Sequence, residues 1–122
     1  VTDVIECKSK LRELADELDK RSRELRDTNL DLAPKQEAYD DWIMDFEADL
    51  HAKHEAGASL PSKDMRVTLA LKEMPSEFRK EHRMLVAKRD RLKQHIQVLK
   101  VEIESWRSLL SAEKAEMEAI GS

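Results

Sequence analysis

From Phe78 to Ile120 the chain places one residue of a stripe at alternating steps of three and four for about six heptads. The series runs Phe78, His82, Leu85, Arg89, Leu92, Ile96, Leu99, Ile103, Trp106, Leu110, Glu113, Met117, Ile120. A 3.5-residue period held that long specifies a helix whose apolar seam must lie along another helix. Such a chain makes a rod or a clamp more readily than a pocket. A second series occupies the first half: Val4, Cys7, Leu11, Leu14, Leu18, Arg21, Leu25, Thr28, Leu32, then Tyr39, Trp42 and Phe46. After Trp42 the stripe drifts toward Ile43, Phe46 and Leu50, as in a helix relaxing toward 3.6 residues per turn.

Composition agrees with long helices. Of 122 residues, 39% are charged and 4% aromatic, and two glycines and three prolines leave few places to turn. The expected fold is all-α: one antiparallel helical hairpin with a short helical cap at the turn, assembling into a dimeric bundle. Its first arm covers 3–55, its cap 58–75 and its second arm 76–119. Pro34 removes a backbone donor and crowds the preceding turn, so a kink or break is expected there. Gly57 suits a left-handed helix stop, Ser59 or Ser62 an N-cap, and Pro75 with Ser76 the start of the last helix.

Charge suggests how the arms face each other. Residues 1–56 hold 9 Lys and Arg against 16 Asp and Glu, whereas residues 79–100 hold 8 against 2. Folding the chain about residue 66 sets residue i across from roughly 132 − i. Glu37, Asp40, Asp41, Asp45, Glu47, Asp49 and Glu55 then oppose the basic stretch and favour this register. The alignment brings Trp42 to Leu92 and Trp106 to Leu25, and leaves about ten N-terminal residues as an overhang. The seam residues are Leu11, Leu14, Leu18, Leu25, Trp42, Phe46, Leu85, Leu92, Ile96, Leu99, Ile103, Trp106 and Leu110. Val4, Ile5, Val86, Val98, Val101 and Leu109 are left over and widen the apolar surface, which calls for further helices and favours a homodimer.

Signals of chemistry are sparse. No nucleophile–base pair, phosphate-cradling glycine loop, H-E-x-x-H or C-x-x-C occurs, so no enzyme is expected. His51 and His54 share one helix face, and the 132 − i alignment brings His82 near them. These three are the candidate metal ligands, although solvated or structural histidines explain them as well and no cofactor is expected. His95 reads as surface. Arg79, Lys80, Arg83, Lys88, Arg91 and Lys93 are the candidate nucleic-acid contacts. Against that role stand the facing acidic arm and the lack of interleaved aromatics. Met44, Met65, Met74, Met84 and Met117 read as filling for an irregular helix junction, or as an adaptable docking surface. Cys7 sits on the stripe as a small buried hydrophobe, which fits a reducing cytoplasmic setting. No apolar run approaches a membrane span, and the N-terminus turns polar by residue 6, unlike a signal peptide.

One run carries a resemblance. Ile103 to Met117 reads I-x-x-x-R-S-L-L-S-A-x-x-A-E-M, and Ala38-Tyr39 through Leu50, Ala52, Gly57 and Ser59 forms a second passage. Over residues 37–119 the chain resembles a loose group of small coiled-coil accessory proteins of tailed bacteriophages. Trp106 departs from the smaller or aliphatic residue usual there. The resemblance implies a protein of the host cytoplasm, sometimes encoded near recombination or replication functions, with no catalytic residues to carry over. The functional expectation is a protein–protein interaction or assembly module, with an unidentified protein partner and self-association. The alternative is a DNA-transaction accessory using the basic face 79–100.

Overall fold

The computed structural model describes residues 4–121. It contains α1 (Val4–Glu55), α2 (Lys63–Glu73) and α3 (Ser76–Gly121). α1 packs against α3, so the chain is an all-α helical hairpin. The expected first residue of arm one, residue 3, lies outside the described residues.

α1 is a single helix that runs through Pro34, so the expected break into two elements does not occur. Pro34 and Leu30, whose carbonyl loses its helical partner, both belong to the exposed side, where water can replace the lost bond. Meanwhile the seam stays in phase across the proline. Thr28 and Leu32, before it, are 1% and 4% exposed. Lys35 and Tyr39, after it, are half-buried.

The stop at the end of α1 is a Schellman motif. Gly57 takes φ 107°. Its N–H donates to the His54 carbonyl at 2.9 Å, and the Ala58 N–H donates to the Lys53 carbonyl at 3.0 Å. A residue with a Cβ is strained at that φ, which is why the chain turns here. Ser62 then caps α2, its hydroxyl accepting from the Met65 N–H at 3.3 Å. Pro75 separates α2 from α3.

By contact density the hairpin divides into two compact units, Val1–Asp27 with Arg89–Ser122, and Thr28–Lys88. In the first, Leu14, Leu99 and Ile103 form the buried core, with Leu11, Leu18 and Trp106 packed against it. Glu17 lies 4.0 Å from His95 across the two helices. In the second, contacts step backward along α1 as the return arm advances. Arg66 meets Glu47 at 3.0 Å, the Trp42 indole N–H donates to the Ala70 carbonyl at 2.9 Å, and Lys35 meets Glu81 at 2.6 Å.

These contacts correct the expected register. Facing residue numbers near the middle add to about 116–121 instead of 132. The turn therefore lies next to Gly57 and not at residue 66. α2 is the short helix expected at the turn, and it forms the first segment of the return arm, packed along α1. Its docking holds α3 back, so that α3 faces α1 only from about residue 40 toward the N-terminus. Trp42 thus meets Ala70 and not Leu92, and Trp106 joins Leu11, Leu14 and Leu18 and not Leu25. The expected N-terminal overhang is also corrected. Cys7 is fully buried, whereas Met117 and Ile120 at the end of the α3 stripe are 60% and 81% exposed.

The Trp42–Ala70 bond anchors α2 from outside its own sequence. The Ala70 carbonyl also accepts the Met74 N–H at 3.1 Å, so two donors converge on one C-terminal carbonyl. Trp42→Phe keeps most of the ring packing but removes one donor. It should lower stability by about 1 kcal/mol and raise amide exchange in 63–73 more than in the Leu14–Leu99–Ile103 region. Urea unfolding with exchange mass spectrometry reads both quantities.

Candidate interaction face

The predicted seam is where the structure buries residues. Leu14, Leu92, Ile96, Leu99 and Ile103 are buried, and Leu11, Leu18, Leu25, Trp42, Phe46, Leu85, Trp106 and Leu110 are half-buried. A seam between two helices closes over its central positions and leaves the flanks partly open, as this gradient shows. Several seam positions are polar, and Arg21 and His82 among them have well-defined partners. Arg21 donates through Nε to Glu17 at 2.8 Å and through Nη1 to Glu24 at 3.1 Å. Those hydrogen bonds, Glu17 first, hold the guanidinium proton more firmly than in water.

His82 occupies the corresponding seam position in the second unit. Its ring stacks on Tyr39 with centroids 4.0 Å apart and planes 10° from parallel. His82 Nε2 lies 2.7 Å from Gln36 Oε1, and that carbonyl oxygen only accepts, so Nε2 carries the donating hydrogen. The alignment expected from the charges brings His82 near His51 and His54 as candidate ligands, and the structure does not assemble those three. His51 lies 3.8 Å from Glu47 on its own helix, and His54 Nδ1 lies 2.8 Å from the Ala58 carbonyl in the turn. Among the described residues, no three His, Cys, Asp or Glu side chains converge as metal ligands would. The cause is the register, which places His82 beside residues 36–39 instead of 50.

The same displacement changes the electrostatics of α3. From Trp42 onward α1 lies alongside α2, so the acidic residues from Asp45 to Glu55 do not face the basic stretch as expected, while Glu37 and Asp40 stay near its start. The cross-helix ion pair at Lys35–Glu81 has its lysine on α1 and its carboxylate on α3, opposite to the expected polarity. Arg79 stays exposed but donates through Nη1 to the Leu71 carbonyl at 3.0 Å, and so ties the end of α2 to the start of α3. Arg89 pairs with its neighbour Asp90. Lys80, Arg83, Lys88, Arg91 and Lys93 are exposed, and they form no ion pair among the described residues.

Opposite the seam, the second half of α3 has an uncharged outer stripe. Gln94, Val98, Val101, Ser105, Ser108 and Ala112 recur at heptad spacing and are exposed. Val98 is 54% and Val101 57% exposed. The sequence had already marked the two valines as surplus to a two-helix seam; it was the contacts of the other face that established where they stand. Val86 and Leu109, marked in the same way, are half-buried beside the seam. Of the methionines, Met74 is buried at the α2–α3 junction, while Met44, Met65, Met84 and Met117 are 50–68% exposed. The junction-filling role therefore applies to Met74.

Comparisons with protein-family models, with curated proteins and with solved structures gave no match. No helix among the described residues is long and apolar enough to cross a membrane. The dispersed histidines yield a direct expectation. Zinc should leave the melting temperature unchanged in calorimetry. A rise that His54→Ala abolishes would show that the three histidines meet after all.

Proposed function

We propose that this protein is a non-enzymatic coiled-coil module for protein–protein interaction or assembly, and that it self-associates. The observation that carries this reading is the exposed outer face of α3. A chain with 39% charged residues keeps that stripe uncharged and exposes more than half of both valines on it. Isolated exposed apolar residues are ordinary, but a run at heptad spacing is what a further helix packs against. The C-terminal Ile103–Met117 run adds the reading of a phage-type accessory protein, acting in the host cytoplasm. Sedimentation equilibrium of the full chain from about 10 to 500 µM tests self-association. The expected result is a mass that rises above 14.2 kDa with concentration. A concentration-independent monomer would contradict it.

A second reading is favoured by a separate observation. Lys80, Arg83, Lys88 and Arg91 are exposed without ion-pair partners among the described residues. Positive charge left over in this way can neutralise phosphates, which suits an accessory factor that contacts nucleic acid in recombination or replication. Fluorescence anisotropy with single- and double-stranded DNA at 50 and 200 mM salt tests this role. Contact through four cations predicts about a 100-fold loss of affinity across that range. Absent or salt-independent binding would rule it out.

A further inference from the structure

We infer that the outer face of α3 pairs with the same face of a second copy, antiparallel, with the two-fold axis near residues 101–105. This deepens the self-association reading above and rests on it. The apolar part of the face is Val98 and Val101, both more than half exposed. It continues through Ser105, Ser108 and Ala112, which carry no charge and little bulk. Side chains this small let two helices approach closely, and a valine of one copy can then fill the space above a serine of the other.

The orientation follows from the charges beside the stripe. Before it come Lys88, Asp90 and Arg91; along and after it come the carboxylates Glu102, Glu104, Glu116 and Glu118, interleaved with Lys100, Arg107 and Lys114. A parallel pair would run these four carboxylates alongside their own copies. An antiparallel pair centred near residue 102 instead sets Lys88 of each copy beside Glu116 of the other, and Arg91 near that same acidic end. It also sets Lys100 beside Glu104 and Lys114 beside Asp90. Val101 then lies next to its own copy and Val98 lies over Ser105. One repulsive contact remains, Glu102 against Glu102 at the axis. Like charges directly opposed are unfavourable and opposite charges set register, so the antiparallel arrangement is preferred.

The extent of the face sets the strength. From Gln94 to Ala119 the stripe is about 37 Å long at 1.5 Å per residue, and a helix presents a strip roughly 10 Å wide. The pair therefore buries about 750 Å² in total, below the roughly 1,200 Å² of a stable standard interface. Association should be reversible and visible at tens to hundreds of micromolar.

Sedimentation equilibrium of the full chain and its variants, with circular dichroism to verify folding, tests the proposal. The wild type should show a monomer–dimer equilibrium. The exposed pair Val98→Glu with Val101→Glu should abolish the dimer while leaving helicity and melting temperature unchanged. Glu102→Gln should tighten the dimer several-fold by removing the contact at the axis. Lys88→Glu and Glu116→Lys should each weaken it, and the two together should restore it. A dimer indifferent to the valine changes would refute this face while leaving self-association standing. A monomer at every concentration would refute both. Weakening by Glu102→Gln, or no restoration in the double charge reversal, would refute the antiparallel orientation.

Discussion

Where the first helix stops decides which side chains meet in the rest of the molecule. The stop at Gly57 satisfies the carbonyls of Lys53 and His54 with two backbone donors and needs a φ of 107° that only glycine adopts without strain. Because the turn follows immediately, the return arm begins with α2, docked on α1 through Trp42 and Glu47. The α3 seam can then engage α1 only beyond that docked segment. The register of the second unit follows from this one placement.

The seam itself mixes apolar layers with polar ones. Leu14, Leu99 and Ile103 supply burial in one unit. In the other, His82 between Tyr39 and Gln36, together with Lys35–Glu81, provides contacts that only one alignment satisfies. Heptad stripes are translationally degenerate, since a slip of seven residues again sets apolar against apolar. The buried His82 removes that degeneracy in the second unit, because a slip would take it away from Gln36 and Tyr39. The polar seam positions thus fix alignment, and the leucines and isoleucines supply most of the burial.

The helices, the two seams, the Gly57 stop and the Ser62 cap were legible in the sequence because each rests on a local rule of spacing or stereochemistry. The register was not. The net charge of long stretches suggested a fold about residue 66, but exposed charges are worth little individually, and the turn chemistry at Gly57 outweighed them. The same misjudged register produced the apparent histidine cluster and the apparent neutralisation of α3. Pro34 leaves α1 unbroken for a different reason: a proline on the solvent side of a long packed helix leaves the orphaned carbonyl to water and does not interrupt the seam. Val98 and Val101 were recognised as surplus, but whether they were truly exposed depended on which face α1 covers.

Register is therefore the claim on which both the fold and the reading of the α3 outer face depend. Double electron–electron resonance on spin labels, with Glu77 paired in turn with Asp40 and with Glu55, measures it directly, since all three side chains are exposed. The turn at Gly57 predicts a short distance from 77 to 40. It also predicts a clearly longer distance from 77 to 55, because fifteen helical residues displace that label by about 22 Å along α1. The reverse order, with 77 close to 55 and far from 40, would contradict the account.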